Sequence, residues 1–312
     1  MASKHSSKTV ILAALIGNFM IFVTKLGAAL YTNSSAMFSE AIHSIVDCGN
    51  QVLLLYGIKK ASRKADRDHP FGYGKELYFW SFVVAMLIFA VGAGVSLYEG
   101  FHKIMEPEEI RSIHINYIVL TVAICFEAYP WKMAYDEFNA RRGKRGLVDA
   151  VIRSKDPSLF AILFEDTAAM LGLFTALIGL FIGDFFGIPE ADGAASIVIG
   201  LILAATAAVL AIECKGLLIG EAADQQVIDS IENLMEKHAA VESVNEVLTM
   251  HFGPTDILLN LSIDFRDEIS AGDVEQIITD FEIQIKEMHP DIKRIFIEAQ
   301  SRRGHFMNSQ LE

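Results

Sequence analysis

A chain of 312 residues that is 52% hydrophobic, with a mean hydropathy of +0.36, is more apolar than soluble domains are on average, and its long apolar stretches read as membrane spans. Its three cysteines, Cys48, Cys125 and Cys214, stand singly in apolar segments, which excludes a disulfide framework and a zinc ribbon. The net charge of −13 is uneven: residues 1–212 hold 18 Lys and Arg against 19 Asp and Glu, and residues 213–312 hold 8 against 20. A nearly neutral membrane part is thus followed by an acidic soluble part, which argues against nucleic acid as a partner and suits the attraction of cations.

Six apolar segments are each about long enough to cross a bilayer, whose hydrocarbon core is roughly 30 Å thick. The first runs from about Thr9 to Tyr31. It follows Lys4 and Lys8, and it is too long for the apolar region of a signal peptide. The second, from about Ala36 to Ile58, carries His43 and Asp47. The third, Leu77 to Phe101, has a small-residue run at Gly92-Ala93-Gly94 that permits close helix approach. The fourth, Ile115 to Phe138, is the most polar, with Glu127 and an expected kink at Pro130. The fifth, Ser158 to Phe181, holds Glu165 and Asp166; the sixth runs from Ala191 to Ile212. The second-to-third connection is basic (Lys59, Lys60, Arg63, Lys64, Arg67, Lys75), and so is the fourth-to-fifth (Arg141, Arg142, Lys144, Arg145, Arg153, Lys155). The positive-inside rule then places both termini and the acidic part in the cytoplasm.

From Gly216 the pattern changes. Asp224 reads as the cap of a helix to about His238, followed by a strand from Val241 to His251, a turn at Gly253-Pro254-Thr255-Asp256 and a strand from Ile257 to Phe265. Ser270 caps a second helix ending near His289-Pro290, and Ile292 to Ala299 is a third strand. The order α-β-β-α-β predicts a small two-layer, ferredoxin-like α+β domain with helices on one face of an antiparallel sheet. The domain plan is a six-span transmembrane bundle over 1–213, a cytoplasmic domain over 214–300 and a frayed tail over 301–312.

The polar residues inside the spans point to chemistry. His43 and Asp47, four apart, share one face of a helix. An imidazole and a carboxylate so placed suit a divalent transition metal, while the plainer alternative is a polar pair that joins two helices. Asp166 lies mid-membrane on the fifth span. If the second and fifth spans pack together, His43, Asp47 and Asp166 offer one nitrogen and two carboxylates. Zinc takes about four ligands, and the fourth is either water or Glu165 through a local distortion, since Glu165 points about 100° from Asp166 around the helix. Ile162, one turn before Asp166, cannot ligate. Lys25 is expected to snorkel or to pair with an acid, and Glu127 to line a cavity or a polar helix side. There is no HExxH and no GxSxG, so an enzyme is not expected.

The run Ser35-Ala36-Met37-Phe38-Ser39-Glu40-Ala41-Ile42-His43-Ser44-Ile45-Val46-Asp47 resembles the second-span signature of the cation diffusion facilitators, and His69-Pro70-Phe71-Gly72-Tyr73-Gly74-Lys75 resembles their cytoplasmic loop signature. Phe164-Glu165-Asp166-Thr167-Ala168-Ala169 is most similar to the subgroup that includes human zinc transporter nine. The resemblance covers nearly the whole chain. It implies a homodimeric metal/proton antiporter that exports Zn²⁺, or in some members Mn²⁺, Fe²⁺ or Co²⁺, by alternating access around a four-ligand site built from the second and fifth spans. Carried over, that site is His43, Asp47 and Asp166, with Ile162 departing from the family pattern. In relatives an Asp and two His of the loop bind a second metal; Asp66 and His69 match and Tyr73 replaces the second His. Lys75 matches a coupling lysine that pairs with an acid near the end of the sixth span; Ile219 stands at the partner position and Glu221 is the nearby alternative. The acidic part resembles a dimerising, metal-sensing domain. Its His238, His251, His289 and His305 are scattered, and an exposed His251 near Asp256 or Glu298 is the candidate for a weak site. The expected location is a bacterial inner membrane, and the alternative function is a membrane metal sensor or scaffold that does not transport.

Overall fold

The computed structural model describes residues 7–107, 110–142, 146 and 157–310. Lys4, Lys144, Arg145, Arg153 and Lys155, which carry part of the loop and terminal charge, lie outside these residues. The backbone divides into two compact units: Met1–Lys59 with Phe79–Lys215, and Lys60–Tyr78 with Gly216–Glu312.

The first unit is helical: α1 (Ser7–Thr32), α2 (Ser35–Ala61), α3 (Glu76–Leu87), α4 (Gly94–Met105), α5 (Ile113–Arg142), α6 (Pro157–Phe186) and α7 (Glu190–Ile219). In a bilayer a helix satisfies its own backbone, and apolar side chains such as Phe89, Tyr98, Phe126, Phe185 and Ile212 can then face outward, as they do here. Among the described residues four helices are long and apolar enough to cross a membrane: Glu76–Met105, Ile113–Ala140, Phe160–Phe186 and Glu190–Ile219. α3 and α4 join through a π-helical turn, Ile88–Ala93, in which the Gly94 N–H donates to Phe89 O. That turn contains most of the small-residue run seen in the sequence, but the tightest approach of this helix to α7 lies further on. A Cβ on Gly100 would stand 2.6 Å from Ile197 and 2.7 Å from the Gly193 carbonyl, and one on Gly193 would stand 2.9 Å from the Gly100 carbonyl. Only glycine lets the two backbones meet so closely. α5 continues through Pro130.

α1 ends at Asn33, whose φ of 62° lies in the left-handed region that asparagine tolerates. α2 then starts against a carboxylate from another helix. Buried Asp192, in the first turn of α7, accepts from the Ser35 N–H at 2.6 Å, Ser34 Oγ at 2.6 Å, Ser35 Oγ at 3.0 Å and the Ala36 N–H at 3.4 Å. A carboxylate satisfies the orphan N–H groups of a helix start and sits at the positive end of its dipole.

The second unit carries a three-stranded sheet in the order β1 (Val241–Gly253), β2 (Asp256–Phe265), β3 (Ile292–Ala299). β1 and β2 form an antiparallel hairpin whose pairing closes at Gly253 and Asp256, two residues beyond the expected end of the strand. β2 and β3 are parallel, so the sheet is mixed rather than antiparallel throughout. The reason lies in the connection: the helix Ala271–Met288 returns the chain to the end of the sheet where β2 began, as a crossover must. Asp224 caps the helix Gln225–Glu236 (α8), and Ser270 with Asp273 forms a capping box on Ala271–Met288 (α9). Every second residue of β2, Ile257, Leu259, Leu261 and Ile263, packs with Ile231, Met235, Phe281 and Ile285 of the two helices. Burial of each such side chain contributes about 1.5–3 kcal/mol. The tail expected to fray instead forms a helix, α10 (Arg302–Ser309). Its start is capped by Asp264, which accepts from the Arg302 N–H at 2.8 Å, and by Ser301 Oγ, which accepts from the Gly304 N–H at 3.2 Å.

Three substitutions probe this packing, one of them a control. Gly100→Ala forces α4 and α7 apart and should lower the thermal unfolding midpoint in detergent, costing about 1–3 kcal/mol, while Gly27→Ala, where a Cβ meets nothing within 4 Å, should not. Asp192→Ala removes four hydrogen bonds at the start of α2 and should cost at least as much as a lost cap, about 1–3 kcal/mol, measured in the same melts.

Candidate metal-transport site

The site lies on α2, where polar residues follow one another at helical spacing. His43 Nε2 lies 3.3 Å from Asp47 Oδ2, one turn away, with the imidazole buried. Neither ring nitrogen has a hydrogen-bond partner among the described residues, and neither has Asp47 Oδ1. Asp166 on α6 likewise presents a buried, unpartnered Oδ2. Buried polar atoms are nearly always satisfied, so unsatisfied ones on two helices are exceptional and point to a ligand. Asn50, one turn beyond Asp47, joins the two helices by donating from Nδ2 to Glu165 Oε1 at 3.2 Å. The carboxylates of Glu165, Glu127 and Asp166 all act electrostatically on Asp47, which makes this an acidic interior that calls for a cation. Among the described residues no three His, Cys, Asp or Glu side chains already converge on one metal position. Glu165 is engaged by Asn50, and Ile162 is 45% exposed on the outer side of α6.

Toward the start of α2 other polar groups find partners, although Glu40 Oε1 does not. Lys25, expected to snorkel or pair, is fully buried: its Nζ donates to Glu40 Oε2 at 3.1 Å and to Ser44 Oγ at 3.0 Å. Ser39 and Ser196 of α7 share a short hydrogen bond, and Ser196 Oγ also reaches Ser96 O at 2.8 Å. Glu127 of α5 is buried and bears on Glu40, Asp47 and Asp166. Sequence reasoning passed over Glu40, Asn50, Ser196 and Asp192. The signal was there for Glu40 and Asn50, which lie three residues before His43 and three after Asp47 on the same helical face; nothing local marks Ser196 or Asp192.

The connection after α2 groups with the C-terminal unit. Asp66 folds it: Oδ1 accepts from the Asp68 and His69 N–H groups at 3.1 and 2.8 Å, and Oδ2 accepts from the Tyr73 hydroxyl at 2.7 Å. The His69 ring packs against Tyr73, tilted by 33° with centroids 4.2 Å apart, and its Nδ1 lies 3.7 Å from Asp66 Oδ1. Tyr73 thus occupies one of the two Asp66 carboxylate oxygens, and the backbone N–H groups of Asp68 and His69 occupy the other. Lys75 meets β1: its Nζ lies 3.7 Å from Met250 Sδ and 5.0 Å from the Phe252 ring centroid. Phe71 stacks on the same ring at 5.0 Å, with Arg294 on its own face at 5.3 Å. The lysine ammonium thus lies over an aromatic face.

In the C-terminal unit the four histidines are apart. His251, expected exposed, is buried at 4%: it lies inside β1, paired with Ile257, its backbone N–H donates to Glu221 O, and its Nδ1 lies 3.1 Å from Gly253 O. Asp256 faces Arg294 at 3.4 Å. His289 meets Ser230, His238 packs on Phe281 and His305 meets Gln300.

Residues 11–219 match the cation efflux transmembrane domain. The chain belongs to the cation efflux family, the cation diffusion facilitators. It is a multi-pass membrane protein of a transporter family, not an enzyme. It is 32% identical over 271 residues to the mitochondrial proton-coupled zinc antiporter SLC30A9 of Xenopus laevis, covering 86% of this chain and 48% of that protein. To the human protein of the same name it is 30% identical over 287 residues, covering 89% and 50%. It therefore spans about half the length of these curated relatives. The manganese efflux system protein MneP of Bacillus subtilis is 24% identical over 308 residues, covering 96% of this chain and 98% of that protein.

The Tyr73 hydroxyl, followed by the His69 N–H, holds the Asp66 carboxyl below the usual carboxylate range. The ordering that Asp66 gives this loop is therefore complete above that range and is lost as pH falls through the depressed value. Tyr73→Phe should raise the Asp66 titration midpoint toward the ordinary carboxylate value, read by NMR of labelled Asp; an unmoved midpoint would mean the hydroxyl does not hold the carboxylate in solution.

Proposed function

We propose that this protein exports a divalent transition metal, Zn²⁺ first, in exchange for protons, by alternating access around a site on α2 and α6. The observation that carries the proposal is the set of buried, unpartnered donor atoms of His43, Asp47 and Asp166 on two helices joined at Asn50–Glu165. One imidazole and two carboxylates form a mixed N/O donor set that suits Zn²⁺ and also accepts Mn²⁺, Fe²⁺ or Co²⁺. Glu165 released from Asn50, or a water, supplies the fourth position that Ile162 leaves vacant.

Proton coupling follows from the chemistry. These ligands bind metal only when deprotonated, so protons entering from the opposite side compete for the same atoms and release the ion. The antiporters to which the chain is similar carry zinc and proton coupling in their names, and MneP carries manganese. In this reading residues 1–213 form six spans, with α1 and α2 joining the four helices of highest hydropathy, and residues 214–300 form a ferredoxin-like domain that pairs two copies of the chain. Both termini face the cytoplasm of a bacterial inner membrane. The connection at Asp66 and His69 serves as a folded loop element more readily than as a second metal site, because both Asp66 oxygens are engaged.

Reconstituted into proteoliposomes with an imposed pH gradient, the protein should move Zn²⁺, with Mn²⁺, Fe²⁺ and Co²⁺ tested beside it. Asp47→Ala should abolish flux and His43→Ala should reduce it at least tenfold, the scale of losing a metal ligand. Gradient-independent or absent flux from folded, inserted wild type would overturn the antiporter and leave a metal sensor or scaffold.

A further inference from the structure

We propose that Lys25 is a tethered cation: its ammonium fills a built cation site on α2, made by Glu40 and Ser44, and its charge weakens the hold of the neighbouring His43, Asp47 and Asp166 on a divalent ion so that the ion can leave. This inference rests on the metal-transport reading of that site.

Four observations support it. Lys25, about two turns before the end of α1, is 0% exposed, so it is not snorkelling and its charge must be balanced inside the protein. Among the described residues its hydrogen bonds go to α2: Glu40 Oε2 supplies the opposite charge and Ser44 Oγ a second acceptor. Those residues alternate along α2 with the candidate ligands: Glu40 and Ser44 bind the ammonium, and His43 and Asp47 are the metal donors. The ammonium bridges toward Ser44, which is the end of its site nearer Asp47, and its charge acts on both His43 and Asp47. Finally, Glu40 has capacity to spare. Its Oε1 is buried without a hydrogen-bond partner among the described residues and is turned toward α6, where a Cβ on Gly172 would collide with it. Glycine at 172 is what admits that oxygen between the helices.

A purely mechanical role explains less. A buried ion pair stabilises little compared with an apolar pair of the same volume, because desolvation offsets the attraction. A transporter, by contrast, needs binding strong enough to load the ion and weak enough to release it. A fixed positive charge one turn from the ligands supplies that limit.

The test uses the full chain in proteoliposomes, with KM and turnover for Zn²⁺ measured separately, and direct Zn²⁺ binding to the detergent-solubilised full chain. Lys25→Gln should tighten binding and lower KM, each by about tenfold, while slowing turnover, because the unit charge acts across a medium of low effective dielectric. Lys25→Arg, which keeps the charge, should remain within about twofold of wild type, a smaller change than any loss of charge predicts. Lys25→Gln/Glu40→Gln leaves no unpaired buried charge, so it should fold where Lys25→Gln does not, and it should still tighten binding, though less. Unchanged affinity in both charge-removing variants, with only a lower melting midpoint, overturns the proposal and leaves an α1–α2 ion pair. Wild type that binds Zn²⁺ but carries none, with Lys25→Gln binding tighter, overturns the transport reading and supports the charge effect on its own.

Discussion

A charged or polar side chain on α2 can exist inside the helical unit only where another helix supplies its partner. Water, which would solvate such a group at no cost, is missing there. The surrounding helices meet this demand one residue at a time. α7 sends Asp192 to the start of α2 and Ser196 to Ser39; α1 sends Lys25 to Glu40 and Ser44; α6 sends Glu165 to Asn50. Among the described residues the buried atoms left unmatched on α2 are those of His43, Asp47, Glu40 Oε1 and the amide oxygens of Asn50 and Gln51; Asp166 Oδ2, Ser96 Oγ and Asn116 Nδ2 are unmatched on other helices. The same accounting that orients α2 leaves His43, Asp47 and Asp166 with free donor atoms, which is what the proposed metal site uses.

Glycine sets the distances at which these partners meet. Gly172 makes room for the Glu40 carboxylate, and Gly100 with Gly193 lets α4 and α7 touch through their backbones. These contacts have no hydrophobic driving force in lipid and depend on close van der Waals packing and interhelical hydrogen bonds. In the C-terminal unit the logic is the ordinary aqueous one. An alternating strand and two amphipathic helices bury one cluster, and the segment Lys60–Tyr78 meets β1 through stacked rings and a lysine over one of them, with Arg294 over the other.

Much of the architecture is legible in the order of the residues. The helix caps at Asp224 and Ser270, the hairpin turn at Pro254-Thr255 and the third strand are local features, decided by residues within a few positions of one another. The pairing direction of β3 is harder to read, because α-β-β-α-β is compatible with either sense until the crossover is recognised as a βαβ connection. The tail helix depends on Asp264, 38 residues before Arg302, and so leaves no local trace. His251 has a polar side chain at the expected strand end, which suggests exposure, yet it lies buried inside β1 and Glu221 O accepts its backbone N–H.

For the site, the sequence by itself determined which residues are chemically able to act. A histidine and an aspartate four apart in an apolar helix, and an aspartate in another, cannot be read as ordinary lipid-facing positions, because the energetic cost of such groups in a bilayer is written into their residue type. Which of the remaining polar residues are matched and which are free was decided only by the tertiary structure. Lys25 with Glu40, Asp192 with Ser35, and Lys75 with Phe252 are pairings across 15, 157 and 177 residues of chain, formed where helices or strands happen to meet. Spacing along one helix gives the face a side chain occupies; only the packing of other elements against that face decides whether it finds a partner or waits for an ion.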